Sequence, residues 1–170
     1  MEVEKQYTES SFKRYSLRHT IPPEITTIIV KQQKDRWENE FKVEKEAYKF
    51  LEQLQGIVIP RLFRQGYFNE IPALILADIG GITLYDLACR KDKIDGEMLE
   101  RELKKAPRAL YDHGVQYEDQ RLDNFLLCDN NKVMIVDLEQ VKSFDKSQPC
   151  EKHANLDGVY ILSWVTSGIS

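Results

Sequence analysis

Glycine comes late in this chain. The first of its eight glycines is Gly56, so no glycine-rich turn of the kind that cradles phosphate with backbone N–H groups lies upstream of it. Cysteine is sparse as well. Cys89, Cys128 and Cys150 are odd in number and widely spaced, which excludes a disulfide framework or a zinc site and fits reduced thiols. No apolar run approaches the length of a membrane span. The first residues, Met1-Glu2-Val3-Glu4-Lys5, are polar and acidic, unlike a secretory signal, and an intracellular protein is expected. Basic charge is not in excess. Lys and Arg number 24 against 28 Asp and Glu, a net charge of −4, so a nucleic-acid partner gains no support. There is no internal repeat and no low-complexity tract.

What remains is an ordinary globular composition, 42% hydrophobic and 31% charged, in 170 residues, enough for one domain with a core of its own. Residues 1–24 are charged and end in Ile21-Pro22-Pro23, which reads as a loose polar arm. Ile25 to Lys31 is rich in Ile, Thr and Val and predicts a strand, with Lys31 on the face of Ile29 and Thr27. Trp37, Phe41, Tyr48, Leu51 and Leu54 have helical spacing, with Gly56 as the stop. Glu44 shares the Phe41/Tyr48 face of that helix, and a half-buried carboxylate there needs a basic partner. Ile57–Pro60 and Ala73–Ala77 predict two more strands. Asp78-Ile79-Gly80-Gly81 predicts a hinge, Thr83 to Ala88 a short helix, and Met98 to Leu110 a longer one stopped by Gly114. Pro107 is expected to kink or split that longer helix. Asp157 to Leu162 predicts a last helix.

The chemistry concentrates in Asp119-Gln120-Arg121-Leu122-Asp123-Asn124 and the hairpin pattern directly after it. Two apolar runs, Phe125–Cys128 and Val133–Val136, flank the polar turn Asp129-Asn130-Asn131-Lys132, and the second run ends in Asp137. A hairpin of this length brings Asp119, Asn124 and Asp137 towards one another. Two carboxylates and an amide oxygen suit a hard cation such as Mg²⁺. One carboxylate is left to orient or deprotonate a hydroxyl. These are the parts of a phosphoryl-transfer site.

On these residues the chain resembles the protein-kinase-like superfamily. Asp119 with Asn124 five positions on is similar to the catalytic loop of that family, and Asp137-Leu138-Glu139 stands where it carries a metal-binding Asp-Phe-Gly. His113-Gly114-Val115 resembles the lead-in to the loop. Ile28-Ile29-Val30-Lys31 resembles the strand with the phosphate-binding Lys, and Glu44 the helical Glu that pairs with it. The resemblance runs from about residue 25 to about residue 162. It is nearest to the small divergent kinase-like proteins of fungal genomes and to the aminoglycoside and choline phosphotransferases.

The resemblance implies an α+β, reduced two-lobed kinase-like fold. Residues 25–79 would form an N-terminal lobe of strands plus one helix, and residues 80–170 a mainly helical C-terminal lobe with the catalytic hairpin. It implies an ATP- and Mg²⁺-dependent phosphotransferase acting on a hydroxyl of a protein or small molecule. Asp119 would be catalytic, with Arg121 facing the transferred phosphate. Asn124 and Asp137 would hold the metal, and Lys31 with Glu44 would grip the nucleotide. Lys34 competes with Lys31 for its role, as Glu40 and Glu46 compete with Glu44, and Arg121 reads equally as a surface residue. Three departures stand out: Tyr117 replaces the usual His two before the catalytic Asp, Leu138-Glu139 replaces Phe-Gly, and no glycine-rich loop precedes Lys31. They leave open a pseudokinase-type binding module, or an inactive partial copy of a longer kinase-like protein. The short stretch from Asp137 to Asp157 argues against a regulated protein kinase with a phosphorylated activation loop.

Overall fold

The computed structural model describes residues 4–6, 13–16, 27–90 and 94–145. The helix expected over 157–162 and Cys150 lie outside the described residues. Five antiparallel strands form the first sheet: β1 (Glu4–Gln6), β2 (Lys13–Ser16), β3 (Thr27–Gln32), β4 (Leu62–Phe68) and β5 (Ile71–Ala77), in the order β1-β2-β3-β5-β4. Two of these strands fall in the segment expected to be a loose arm. The charged residues of that segment hide its strand character from a hydrophobic pattern, yet β2 pairs along β3, from Lys13 opposite Val30 to Ser16 opposite Thr27.

The two faces of β3 diverge. Ile28 and Val30 pack with Ala73 in a small cluster on one side, joined by Phe63, Phe68 and Ile75. Ile29 turns to the main core on the other side, the face shared by Lys31, whose cross-strand partner is Leu74. Helix α1 (Glu38–Phe50) covers this inner face with Phe41, Ala47 and Tyr48. It is shorter than its hydrophobic spacing suggests. Trp37 stands at its N-cap, 39% exposed, and a single 3-10 turn carries Glu52–Leu54.

The strand expected at Ile57–Pro60 is not one. The amides of Ile57, Val58 and Ile59 all turn back to the Leu54 carbonyl, leaving an isolated bridge between Gln55 and Ile59. Val58 and Ile59 are buried for packing, not for pairing. The strand that occurs instead, β4, is an edge strand with Arg64, Gln65 and Gly66 in its middle, which breaks the apolar alternation. It joins β5 through Asn69-Glu70, both at positive φ, a two-residue hairpin turn whose twist matches the strands.

Beyond the hinge come β6 (Ile82–Thr83), α2 (Leu84–Arg90), α3 (Gly96–Asp112), β7 (Val115–Tyr117), β8 (Phe125–Leu127), β9 (Val133–Ile135) and β10 (Val141–Ser143). Asp95 caps α3, accepting the amides of Glu97 and Met98 at 3.1 Å each. Pro107 does not split α3, which runs unbroken through it. Gly114, at φ 80°, closes the helix by donating to the Tyr111 carbonyl at 2.8 Å, and the His113 ring lies on the Ala109 carbonyl at the same end. β8 and β9 form the expected hairpin, in a small sheet with β6, while β7 pairs with β10.

The architecture is α+β in two lobes. They share one core, drawn from Tyr48 and Leu51 of the α1 region, Leu74 and Leu76 of β5, Leu103 and Leu110 of α3, and Phe125 and Ile135 of the hairpin. Among the described residues, no helix is long and apolar enough to cross a membrane.

Candidate functional site

Lys31 is the centre of the site. The strand puts it on the covered face of the sheet, beneath α1, where its side chain is only 1% exposed. A charge there requires partners. Three carboxylates supply them: Glu44 Oε2 at 2.7 Å, Asp137 Oδ1 at 3.0 Å and Glu139 Oε1 at 3.0 Å from the Lys31 Nζ. The expected strand–helix ion pair is therefore present, within a larger cluster.

The cluster is tied to the loop after β9 by backbone. Leu138 N–H donates to Glu44 Oε1 at 3.3 Å, and Glu139 N–H donates to Asp137 Oδ1 at 2.9 Å. Glu139 also reaches outward: its Oε2 accepts from Lys34 Nζ at 3.2 Å. The Lys34 ammonium lies over the Trp37 ring, 4.8 Å from its centroid. Glu46, the alternative to Glu44, is on the exposed side of α1, 4.0 Å from Lys42.

The electrostatics reflect this crowding of charge. Burial alone would lower the Lys31 pKa, but Glu44, Asp137 and Glu139 outweigh it and hold the ammonium up, to about 12. Burial pushes the Glu44 carboxyl up, to about 7, against the pull of Lys31 and with the neighbouring acids adding to the rise. With Lys31 and Lys34 set against Glu44, Asp137 and Glu139, the sum is 2 − 3 = −1. A proton on Glu44, whose pKa is raised to about 7, cancels that surplus.

Register brings the catalytic-loop motif to the same place. Phe125 is opposite Ile135, and Val136 N–H donates to the Asn124 carbonyl at 3.0 Å, so Asn124 and Asp137 are near neighbours across the hairpin mouth. Tyr117 is opposite Val141, and Glu118 N–H donates to the Gln140 carbonyl at 3.0 Å, which lays the start of the motif beside the loop after Asp137. Asn124 donates from Nδ2 to the Asp119 backbone carbonyl at 3.2 Å. That orientation leaves the Asn124 amide oxygen as the available ligand atom.

Tyr117 fills the position expected to hold His. Its ring is buried edge-on against Phe125, with centroids 5.8 Å apart. Burial first, then the charges of Asp137 and Asp119, pushes its phenol well above the ordinary range, while the adjacent Asn124 amide pulls the other way. Tyr48, one turn after Glu44 and fully buried, is raised by burial and then by Glu44 and Asp137. Both phenols stay neutral, and both belong to the main core.

Arg121 stands apart. Its guanidinium is 70% exposed and bonds Asp123 at 2.8 Å, with Asp119 and Asp137 acting on it only as charges. Glu139 and Lys34 are the members that sequence reasoning misses. Glu139 follows Asp137 by two, and Lys34 enters the sequence reading only as an alternative to Lys31. Carboxylate oxygens of Glu44, Asp137 and Glu139 lie within 4.8 Å of one another, around the Lys31 ammonium. For a hard cation such as Mg²⁺, the oxygen donors at the hairpin mouth are the Asp137 carboxylate and the Asn124 amide.

No family model matches the chain, and no curated protein sequence does. Among solved structures, the fold is similar to that of the bifunctional kinase-methyltransferase WbdD, with a TM-score of 0.59 at 18% identity, over 88% of this chain and 35% of that one. The chain thus spans about a third of the length of that protein. The likeness gives the fold: a reduced kinase-like α+β fold.

Proposed function

We propose that the protein is an ATP- and Mg²⁺-dependent phosphotransferase acting on a hydroxyl. The observation that carries this is the Lys31–Glu44–Asp137 cluster at the mouth of the Asp119–Asn124 loop. Lys31 binds phosphate oxygens, and Glu44 holds it in position. Asn124 and Asp137 hold the metal, which supplies charge neutralisation at the phosphates. Asp119 orients the acceptor hydroxyl and takes its proton. In this reading residues 25–79 form the nucleotide-binding lobe and residues 80–170 the acceptor lobe.

A second reading is a pseudokinase-type binding module. It is favoured by the sequence before β3: β1 and β2 pair in order beside β3, yet no glycine precedes Lys31 to bring backbone N–H groups close to a triphosphate. A thermal-shift titration separates the two. A ligand that binds only the folded state raises the melting temperature by mass action. ATP with Mg²⁺ is expected to raise it in the wild type and in Asp119→Asn, but not in Lys31→Met. Transfer to a hydroxyl is expected to drop by orders of magnitude in Asp119→Asn. Full transfer by that variant would remove Asp119 from the chemistry. Binding without turnover in the wild type would favour the second reading.

A further inference from the structure

Carboxylates crowd the Lys31 ammonium. An ammonium carries three N–H bonds, and three carboxylate oxygens sit within 3.0 Å of this one. A phosphate can reach Lys31 only if a carboxylate leaves. Glu44 is fully buried and held on its other oxygen by Leu138 N–H. Asp137 is held by Glu139 N–H on the same oxygen that meets Lys31. Glu139 has a second cation waiting: Lys34, 35% exposed and steadied on the Trp37 ring.

We propose that Glu139 is an internal competitor for the phosphate-binding ammonium, released to Lys34 when nucleotide binds. The proposal rests on the nucleotide-binding reading above. A carboxylate bridging two lysines occupies the kind of place an anionic phosphate oxygen takes. Exchange keeps charge matched, since the phosphate brings a negative charge to Lys31 as Glu139 takes its own away. Lys34 then keeps the released carboxylate compensated, a positioning residue and not a phosphate ligand.

Calorimetric titration of ATP in Mg²⁺ tests this on four proteins: wild type, Glu139→Gln, Lys34→Gln and the double variant. Removing the competitor should tighten ATP binding on the order of tenfold, about 1.4 kcal/mol. Lys34→Gln should weaken binding in the wild-type background and have no effect beside Glu139→Gln, because nothing then needs receiving. Equal or weaker binding by Glu139→Gln overturns the proposal and makes Glu139 structural or a metal ligand. A loss on Lys34→Gln that persists beside Glu139→Gln also overturns it, assigning Lys34 to the phosphates directly. If neither the wild type nor Glu139→Gln binds ATP, the nucleotide reading itself fails.

Discussion

At the level of single residues, the site is a contest for one buried ammonium. Losing one partner of a buried ion pair leaves a charge uncompensated, at about 3–5 kcal/mol. Glu44 feels this most, because it is the deepest acid of the three. Burial, with the like charges of Asp137 and Glu139, raises its pKa from 4.5 to about 7 in the folded protein. Between those values the folded state holds a proton that the unfolded chain has released. The stability contributed by this group is therefore full below pH 4.5 and declines as pH rises through about 7. Lys31 stays charged throughout that window. Urea unfolding of the wild type and of Glu44→Gln across the window should show this decline in the wild type alone. Parallel pH profiles would mean that Glu44 does not titrate there.

At the level of elements, the hinge after β5 is built by sterics. Gly81 has φ 91°, and a Cβ added to it would lie 2.5 Å from the Leu127 carbonyl oxygen and 3.0 Å from Cys128 Cα. The linker therefore runs hard against the end of β8, the first strand of the β8–β9 hairpin. Gly80 also has positive φ, but a Cβ there would meet open space. Gly81→Ala should destabilise by more than the ~1–3 kcal/mol of backbone strain alone, since backbone must move as well. Gly80→Ala should cost only the strain. Melting temperatures of the two variants check the ordering, and equal losses would remove the Leu127 contact from the explanation.

At the level of the whole molecule, the two lobes are not independent. One continuous core takes side chains from α1 and β5 on one side and from α3 and the hairpin on the other. Ile135 N–H also donates to the Val58 carbonyl at 2.9 Å, and Leu138 N–H to Glu44, so backbone as well as side chains crosses between them. Small proteins with a shared core unfold in one step. Far-ultraviolet dichroism and tryptophan fluorescence should report one coincident denaturant transition. Two separated midpoints would show lobes that are stable apart.

The order of the motif residues and the periodicity around them are legible from the chain. The hairpin after Asn124, α3 with its Gly114 stop, and Lys31 and Glu44 on facing surfaces all arise from short-range patterns of two or 3.6 residues. Those patterns fail where pairing, not hydrophobicity, makes the element. β1, β2 and β4 carry charged or polar residues and exist because a neighbouring strand offers a partner: β2 for β1, β3 for β2 and β5 for β4. Ile57–Ile59 looks like a strand and is a turn because its amides find the Leu54 carbonyl first. Pro107 predicts a kink or a split, and the helix is not split there. Sequence alone determined which residues could form a phosphoryl-transfer site. Only the tertiary structure decided that Glu139 and Lys34 join the cluster around Lys31, because the contact between them spans 105 positions, and no local period carries information over such a distance.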